Sequence, residues 1–385
     1  MATQPTAPRE FASSGSGRLT LVRGRGARLW DASGRSYVDL GATHGVGNLG
    51  SNPPDVVRAI EAQAQELLYL GSGYANPVRT QFIERLLSLL PASFGSVFLS
   101  NSGTEAAEAA IKIARSATGR PKVVAAMRGF HGRTLGALSA TWRREFKEPF
   151  EPLVPAFVHV PFNDPAALEA AVDETTALVL LEPVQGEGGV HVASAEYLRA
   201  ARSVTERTGA LLAFDEVQTG LGRTGRRFAF EHRGVVPDLL LLAKSLAGGL
   251  PIGATVVAGD VAPRFRGTHH STFGGNPLVC AAGLAALDFL VREQLAERAE
   301  RLGTHGLERL RSLPPEKVRE VRGLGLMIGI EFREKVAPYL AALESAGFLA
   351  ISAGSTVLRL LPPLVISDAD WEAGLDAITE VVGRG

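Results

Sequence analysis

Lys244 and Asp215 stand out for where they fall in the hydrophobic pattern of the chain. Lys244 follows Leu239-Leu240-Leu241-Leu242-Ala243 and precedes Ser245-Leu246-Ala247-Gly248-Gly249-Leu250-Pro251. A strand that delivers a lysine into a Gly-rich turn puts an amine in a partly desolvated place, which disfavours the ammonium form. A neutral lysine amine can attack an aldehyde and form a Schiff base. Taken alone, such a lysine reads more plainly as a solvated strand end. Asp215 closes a second apolar run, Leu211-Leu212-Ala213-Phe214, and leads into Glu216-Val217-Gln218. One amine and one strand-end carboxylate together suit pyridoxal phosphate, which needs a Schiff-base lysine and an anion at its pyridine nitrogen.

The elements that position these two groups alternate. Ser96 to Ser100, Lys122 to Ala126, Phe157 to Val160, Leu178 to Leu181, Leu211 to Phe214 and Leu239 to Leu242 read as buried strands. Helical patterns lie between them, as in Glu105 to Ala114, Pro165 to Val172 and Ala195 to Arg207. Continuous apolar strands alternating with helices predict an α/β fold with a mainly parallel sheet covered on both faces. Reactive groups then gather at the carboxyl ends of the strands, where Asp215 and Lys244 fall. The tail differs. Pro277 to Leu290 and Glu293 to Leu313 read as helices, Val318 to Phe332 and Ser355 to Leu360 as strands of a smaller α+β domain, and Ser367 starts a last helix. Leu19 to Leu40 reads as a short antiparallel meander with turns at Gly24-Arg25-Gly26 and Ser33-Gly34. Ser100-Asn101-Ser102-Gly103-Thr104-Glu105 joins a strand to a helix, and such a turn offers free N–H groups to a phosphate. An ordinary Ser or Thr helix cap is the plainer alternative.

With these groups in view, the chain resembles the class III pyridoxal-phosphate-dependent aminotransferases. Leu181-Glu182-Pro183-Val184-Gln185-Gly186-Glu187-Gly188-Gly189, Phe214-Asp215-Glu216-Val217-Gln218-Thr219-Gly220 and Lys244 carry the likeness, which runs from about Leu21 to Val382. Phe130-His131-Gly132-Arg133-Thr134 and Arg359-Leu360-Leu361-Pro362-Pro363-Leu364 look like the acetylornithine aminotransferase branch. That branch includes enzymes acting on aminoadipate-derived precursors carried on a small protein, to which Ala125 to Phe130 and Leu138 to Trp142 look closer. The resemblance implies a fold-type-I transferase. Residues 1–50 would pack with the small domain, 51–277 would form the large cofactor-binding domain and 278–385 the small one.

The same resemblance implies roles residue by residue. Lys244 is the Schiff-base lysine and proton carrier, and Asp215 the partner of the ring nitrogen. Ser102, Gly103 and Thr104 hold the cofactor phosphate, Phe130 stacks on its ring and Gln218 reaches its phenolic oxygen. Thr272, within Ser271 to Pro277, reaches the phosphate of a neighbouring subunit in a homodimer. Arg133 and Arg359 bind substrate carboxylates, which arginine grips through two parallel hydrogen bonds. Glu187 masks Arg359 during the half-reaction in which an amine enters without a neighbouring carboxylate. Glutamate or 2-oxoglutarate then breaks the pair. Free-ornithine enzymes usually carry a tyrosine where His44 stands, so a substrate with a blocked α-amine is expected: either N-acetylornithine or lysine or ornithine on an amino-group carrier protein. Such carriers are acidic in this family, and Arg143, Arg144, Arg223, Arg226 and Arg227 are candidates for a basic docking rim. At Ser51-Asn52-Pro53-Pro54 the chain departs from the family's usual histidines. A binding protein on an inactive scaffold and a racemase or aminomutase are the rival readings, and intact Lys244, Asp215 and both arginines argue against the first.

Composition bounds the rest. Lys plus Arg equals Asp plus Glu at 40 each, so no global field favours nucleic acid or an anionic membrane. Cys280 is the only cysteine, so no intrachain disulfide forms, in keeping with a reducing cytoplasm. Ala2 to Ser16 is polar with no apolar signal core, and the apolar runs fall short of a membrane span. No metal is called for. Gly220-Leu221-Gly222-Arg223-Thr224-Gly225 has a dinucleotide-like glycine pattern without strand–turn–helix context and is read as a loop.

Overall fold

The computed structural model describes residues 19–71 and 73–384. The polar N-terminal stretch through residue 18, on which the leader reading falls, lies outside the described residues. The centre is a seven-stranded sheet. Its strands run in the order Phe94–Ser100, Gly253–Ala258, Leu239–Leu242, Leu211–Asp215, Thr176–Leu181, Lys122–Ala126 and Phe157–Val160. All are mutually parallel except Gly253–Ala258, which is antiparallel to both neighbours. Four strands, Gly253–Ala258, Thr176–Leu181, Leu211–Asp215 and Leu239–Leu242, are buried at every residue, which is why the last three read as apolar runs rather than alternations.

The helix Gly103–Thr118 lies against this sheet. Its start is capped from both directions. Ser102 Oγ accepts from Glu105 N at 3.3 Å, and Glu105 reaches back to accept from Asn101 N at 2.9 Å. Its end is Gly119 in the left-handed region at φ +70°. The buried face is nearly all alanine with Ile111 and Ile113, so the helix axis sits close to the strands.

A second, antiparallel sheet holds Val318–Leu324, Met327–Phe332, Val357–Leu360 and Ile351–Ala353. Leu324 pairs with Met327, so only Gly325 and Leu326 make the turn. Gly325 has φ +53°, and a Cβ there would sit 2.4 Å from the Thr224 carbonyl carbon. The N-terminal meander Leu21–Arg25, Arg28–Asp31 and Ser36–Asp39 is present as expected, and its last strand pairs in parallel with Phe348–Leu349. The helix Pro277–Arg292, capped by Asn276 through a 3.0 Å bond from Val279 N, packs against Pro54–Glu66 and Pro77–Ser88.

Arg223 corrects one sequence expectation. It is not part of a basic rim: its side chain is fully buried. It donates to Leu326 O at 2.9 Å, Pro362 O at 2.7 Å and Asn48 Oδ1 at 2.6 Å. It thereby ties the loop after Asp215 to the N-terminal segment and to the C-terminal part of the chain. Burial pushes its guanidinium down to about 9, opposed by Asp39. Arg223→Met keeps most of the volume and strands three buried acceptors. It should lower unfolding free energy by roughly 2–4 kcal/mol, read as a fall in the urea midpoint at unchanged slope.

Candidate active site

Leu239–Leu242 delivers its chain into the short 3₁₀ turn Lys244–Ala247. Lys244 has φ +45°, an unfavourable conformation for a residue with a Cβ. Such strain persists where the surrounding structure fixes it, commonly at functional sites. Its amine faces a cavity of about 460 Å³ and is otherwise ringed by protein. Burial pushes its pKa down to about 8, with Glu187 and Asp215 pulling up and Arg359 pushing further down.

Asp215 lies at the carboxyl end of the neighbouring strand, in register with Leu241. One oxygen accepts from Val217 N at 3.1 Å, the other from His131 Nδ1 at 2.8 Å. His131 is buried, and its backbone N–H donates to Thr141 Oγ1 at 3.0 Å. Burial works to lower the His131 pKa, but the bond and the charge of Asp215 outweigh it and raise it. Glu182, which the sequence offered only as part of a motif, accepts from Phe130 N at 2.9 Å and Gly186 N at 3.1 Å. Burial pushes its carboxyl up to about 7, with His131 opposing and Asp215 adding to the rise. Glu182 thus fixes both the Phe130 loop and the start of the Glu187 loop.

Asn101, Ser102, Gly103 and Thr104 line another wall of the same cavity. Ser102 is a true helix cap, so the cap reading and the anion-site reading hold together. Its hydroxyl serves Glu105, while the N–H groups of Gly103 and Thr104, first in the helix, have no intrahelical acceptor. Gly103 is needed here, since a Cβ would lie 2.9 Å from Val217 Cγ1.

Phe130, Arg133, Glu187 and Gln218 also line the cavity. Arg359 is fully buried on the strand Val357–Leu360 and donates to Glu187 Oε1 at 2.6 Å. It also donates to Gln218 Oε1 at 3.1 Å, His44 Nδ1 at 3.0 Å and Ser352 O at 3.3 Å. Burial alone would raise the Glu187 carboxyl, but His44 and Arg359 together hold it well below the usual carboxylate range. The Gln218 amide is engaged at both ends, since Nε2 donates to His44 O at 3.1 Å. Arg322, unremarked in the sequence, donates twice to Gly189 O, at 2.9 and 2.7 Å, and pins the loop that carries Glu187. The exposed Arg133 guanidinium stacks over Phe146 at 4.4 Å. Arg143 donates to Glu187 O at 3.3 Å, while Arg226 and Arg227 are exposed on the loop beyond Arg223. Thr272 is exposed and does not line this chain's cavity. Among the described residues no group of three or more His, Cys, Asp and Glu is placed to hold a metal ion.

The sequence profile of Aminotransferase class-III matches residues 11–382. A LysW-aminoadipate semialdehyde transaminase of Deinococcus radiodurans is 50% identical over 370 residues, covering 95% of this chain and 86% of that one. An acetylornithine aminotransferase of Methanopyrus kandleri is 46% identical over 94% of each chain. The ornithine aminotransferase of Toxoplasma gondii, in a structure described as having partial occupancy of PLP at the active site, superposes with a TM-score of 0.92. It is 35% identical and covers 97% of this chain and 92% of its own.

Proposed function

The chain belongs to the class III aminotransferase family, and from that footing we propose that it moves a terminal amino group between an α-blocked basic amino acid and 2-oxoglutarate or glutamate. The basic substrate is lysine or ornithine attached through its α-amine to a small acidic amino-group carrier protein. The setting is lysine biosynthesis, with arginine biosynthesis as a second outlet, in the cytoplasm. One observation carries the two-substrate reading: Glu187, which lines the same cavity as Lys244, is paired at 2.6 Å with the buried Arg359 behind it. N-acetylornithine is the second reading, favoured by the 46% identity to an acetylornithine aminotransferase.

Pyridoxal 5′-phosphate is the cofactor; when bound, it supplies an aldehyde for amines and an electron-withdrawing ring. The cavity's donor set fits it. The helix start at Gly103 and Thr104, with Ser102, would take the phosphate. Asp215 would hold the proton on the ring nitrogen, Phe130 would cover the ring, and Gln218 would stand near its phenolic oxygen. Lys244, with a pKa near operating pH, suits moving a proton to and from the substrate carbon at Nζ. His131 keeps Asp215 aimed through its 2.8 Å bond. Glu187 neutralises Arg359 while a distal ammonium enters, because an unpaired guanidinium in this buried place would repel it. A dicarboxylate supplies its own carboxylate to Arg359, with Arg133 as a second carboxylate site. We place Thr272 at the phosphate of a second copy in a homodimer. Residues 1–50 and 278–385 then form the small domain against 51–277, supported by the Ser36–Asp39 pairing with Phe348–Leu349.

The deciding experiment compares kcat/KM for free N-acetylornithine and for carrier-bound lysine under one set of conditions. A clear preference for the free compound would transfer the assignment to the second reading. Glu187→Ala tests the masking. Glutamate should react as fast or faster, since no ion pair is broken, while the basic substrate slows by roughly 30–100-fold, about 2–3 kcal/mol. Single-turnover rates from the cofactor's visible absorbance measure each half-reaction. Equal slowing of both would make Glu187 a purely structural residue.

A further inference from the structure

We propose that His44 is the third member of the Arg359–Glu187 pair and sets when it opens. As a neutral imidazole it accepts from Arg359 and holds the pair closed; as a cation it turns to Glu187 and releases Arg359 to a dicarboxylate. The proposal deepens the two-substrate reading above and rests on it.

A guanidinium only donates, so the 3.0 Å contact from Arg359 Nη2 requires a bare lone pair on His44 Nδ1 and the ring proton on Nε2. The same nitrogen lies 3.7 Å from Glu187 Oε1. A proton on Nδ1 removes the bond to Arg359, places two cations face to face, and gives His44 a better partner in Glu187. Solvent supplies that proton, since the His44 side chain is 56% exposed whereas that of Arg359 is fully buried. Imidazole is the side chain that changes charge in the range where enzymes are assayed. Against burial, the charge and hydrogen bond of Arg359 lower the Glu187 carboxyl, so it stays anionic throughout that range.

The backbone places this ring under constraint. Ala42, Thr43 and His44 have φ of +42°, +49° and +59°, a run of left-handed conformations that no glycine relieves. Asp39 Oδ1 holds the turn by accepting from Gly41 N at 2.9 Å and Ala42 N at 2.7 Å, and Gln218 holds it by donating to His44 O. A strained turn fixed at both ends, with its imidazole on the buried arginine of the site, is placed rather than incidental. The charged groups around His44 are few. Glu187 faces it from the loop between the paired strands Val184–Gln185 and His191–Val192, and Arg359 from Val357–Leu360, while Lys244 acts on both from the 3₁₀ turn. On its own element, Asp39 is turned to the backbone N–H groups.

The test is calorimetric binding of glutarate to the holoenzyme across pH about 5.5 to 8.5, a window centred on imidazole chemistry. Wild-type affinity should fall about tenfold toward the alkaline end, the worth of one hydrogen bond to a charged group. His44→Asn keeps an acceptor that does not titrate, so its binding should be weak throughout with a flat profile. His44→Phe removes acceptor and titration together, so it should be flat and tighter than His44→Asn. Any titration of Lys244 is common to all three proteins and cancels in the comparison. Nitrogen-15 spectra of histidine-labelled protein should show, for the signal lost in His44→Asn, the Nε2-protonated tautomer at alkaline pH. Identical slopes in the three proteins, or an Nδ1-protonated signal there, would overturn the role of His44. Glutarate binding unaffected by Arg359→Met would instead overturn the two-substrate reading, and this inference with it.

Discussion

Lys244→Ala should turn over neither substrate, with a fall of about 10⁴-fold or more, because one side chain supplies both the nucleophilic amine and the proton carrier. The visible absorbance of covalently held cofactor should vanish with it, while the cavity and its phosphate end remain. Folding should not suffer. The depressed pKa of about 8, against an ordinary 10.5, means the cofactor-free native state binds the lysine proton less tightly than the unfolded chain. Stability therefore rises with pH between those two values, and the cost of the buried ammonium is fully present below about pH 8. That cost is on the order of 2–3 kcal/mol once water in the cavity is allowed for. Cofactor-free Lys244→Ala should consequently melt higher than wild type at neutral pH, and the advantage should shrink as pH rises toward 10.5. Near-normal turnover, or a variant that melts lower at neutral pH, contradicts the assignment of Lys244 as a strained, desolvated amine.

Much of this architecture was legible in the sequence because the local and global demands agree. Leu239–Leu242 and Leu211–Asp215 are buried on both faces, so their residues carry no alternation to misread, and each hands a polar group to the cavity at its end. The helix after Ser102 was legible as a strand-to-helix turn, and the plain cap reading there is met by Ser102 Oγ, which accepts from Glu105 N. Gly253–Ala258 escaped notice. It follows Pro251, contains Gly253 and Thr255, and is antiparallel in an otherwise parallel sheet, which no short-range pattern signals. Pro53-Pro54 read as a departure at the edge of the site, whereas Pro54 begins the helix Pro54–Glu66 at a position where its missing N–H costs nothing.

The site divides along the same line. Lys244, Asp215, Glu187 and Arg359 carried signals of residue type and place, and the structure brings the first three to one cavity, with Arg359 buried behind it on Glu187. Arg223 did not. A lone arginine in a Gly-rich loop looks solvated, and its acceptors at Asn48, Leu326 and Pro362 come from segments more than 100 residues away. Glu182 and His131 escaped for a related reason. Each acts on another site residue rather than on the cavity alone, and the contact that defines the action is long-range: His131 to Asp215, Glu182 to the N–H of Phe130.

That long-range contact shapes the second large effect, at Asp215. Asp215→Asn keeps the volume and an oxygen for the neighbouring donors but removes the negative charge. Turnover should fall about 10²–10³-fold, the usual size of losing one preorganised electrostatic partner, with cofactor content close to wild type. Asp215→Ala should lose rate at least as far and also bind cofactor weakly. The second substitution reaches further because it takes away two things. The ring nitrogen loses its anion, and buried His131 loses the acceptor that had kept its pKa raised. Burial then acts on His131 without the bond and charge of Asp215 to offset it, so the His131 pKa falls. Histidine nitrogen-15 shifts followed across pH should report this directly: the His131 titration lies at lower pH in Asp215→Ala than in wild type. If the variants turn over normally, Asp215 leaves the mechanism. If they are slow while the His131 titration does not move, the charge on Asp215 acts on the cofactor alone and His131 is only a scaffold for its orientation.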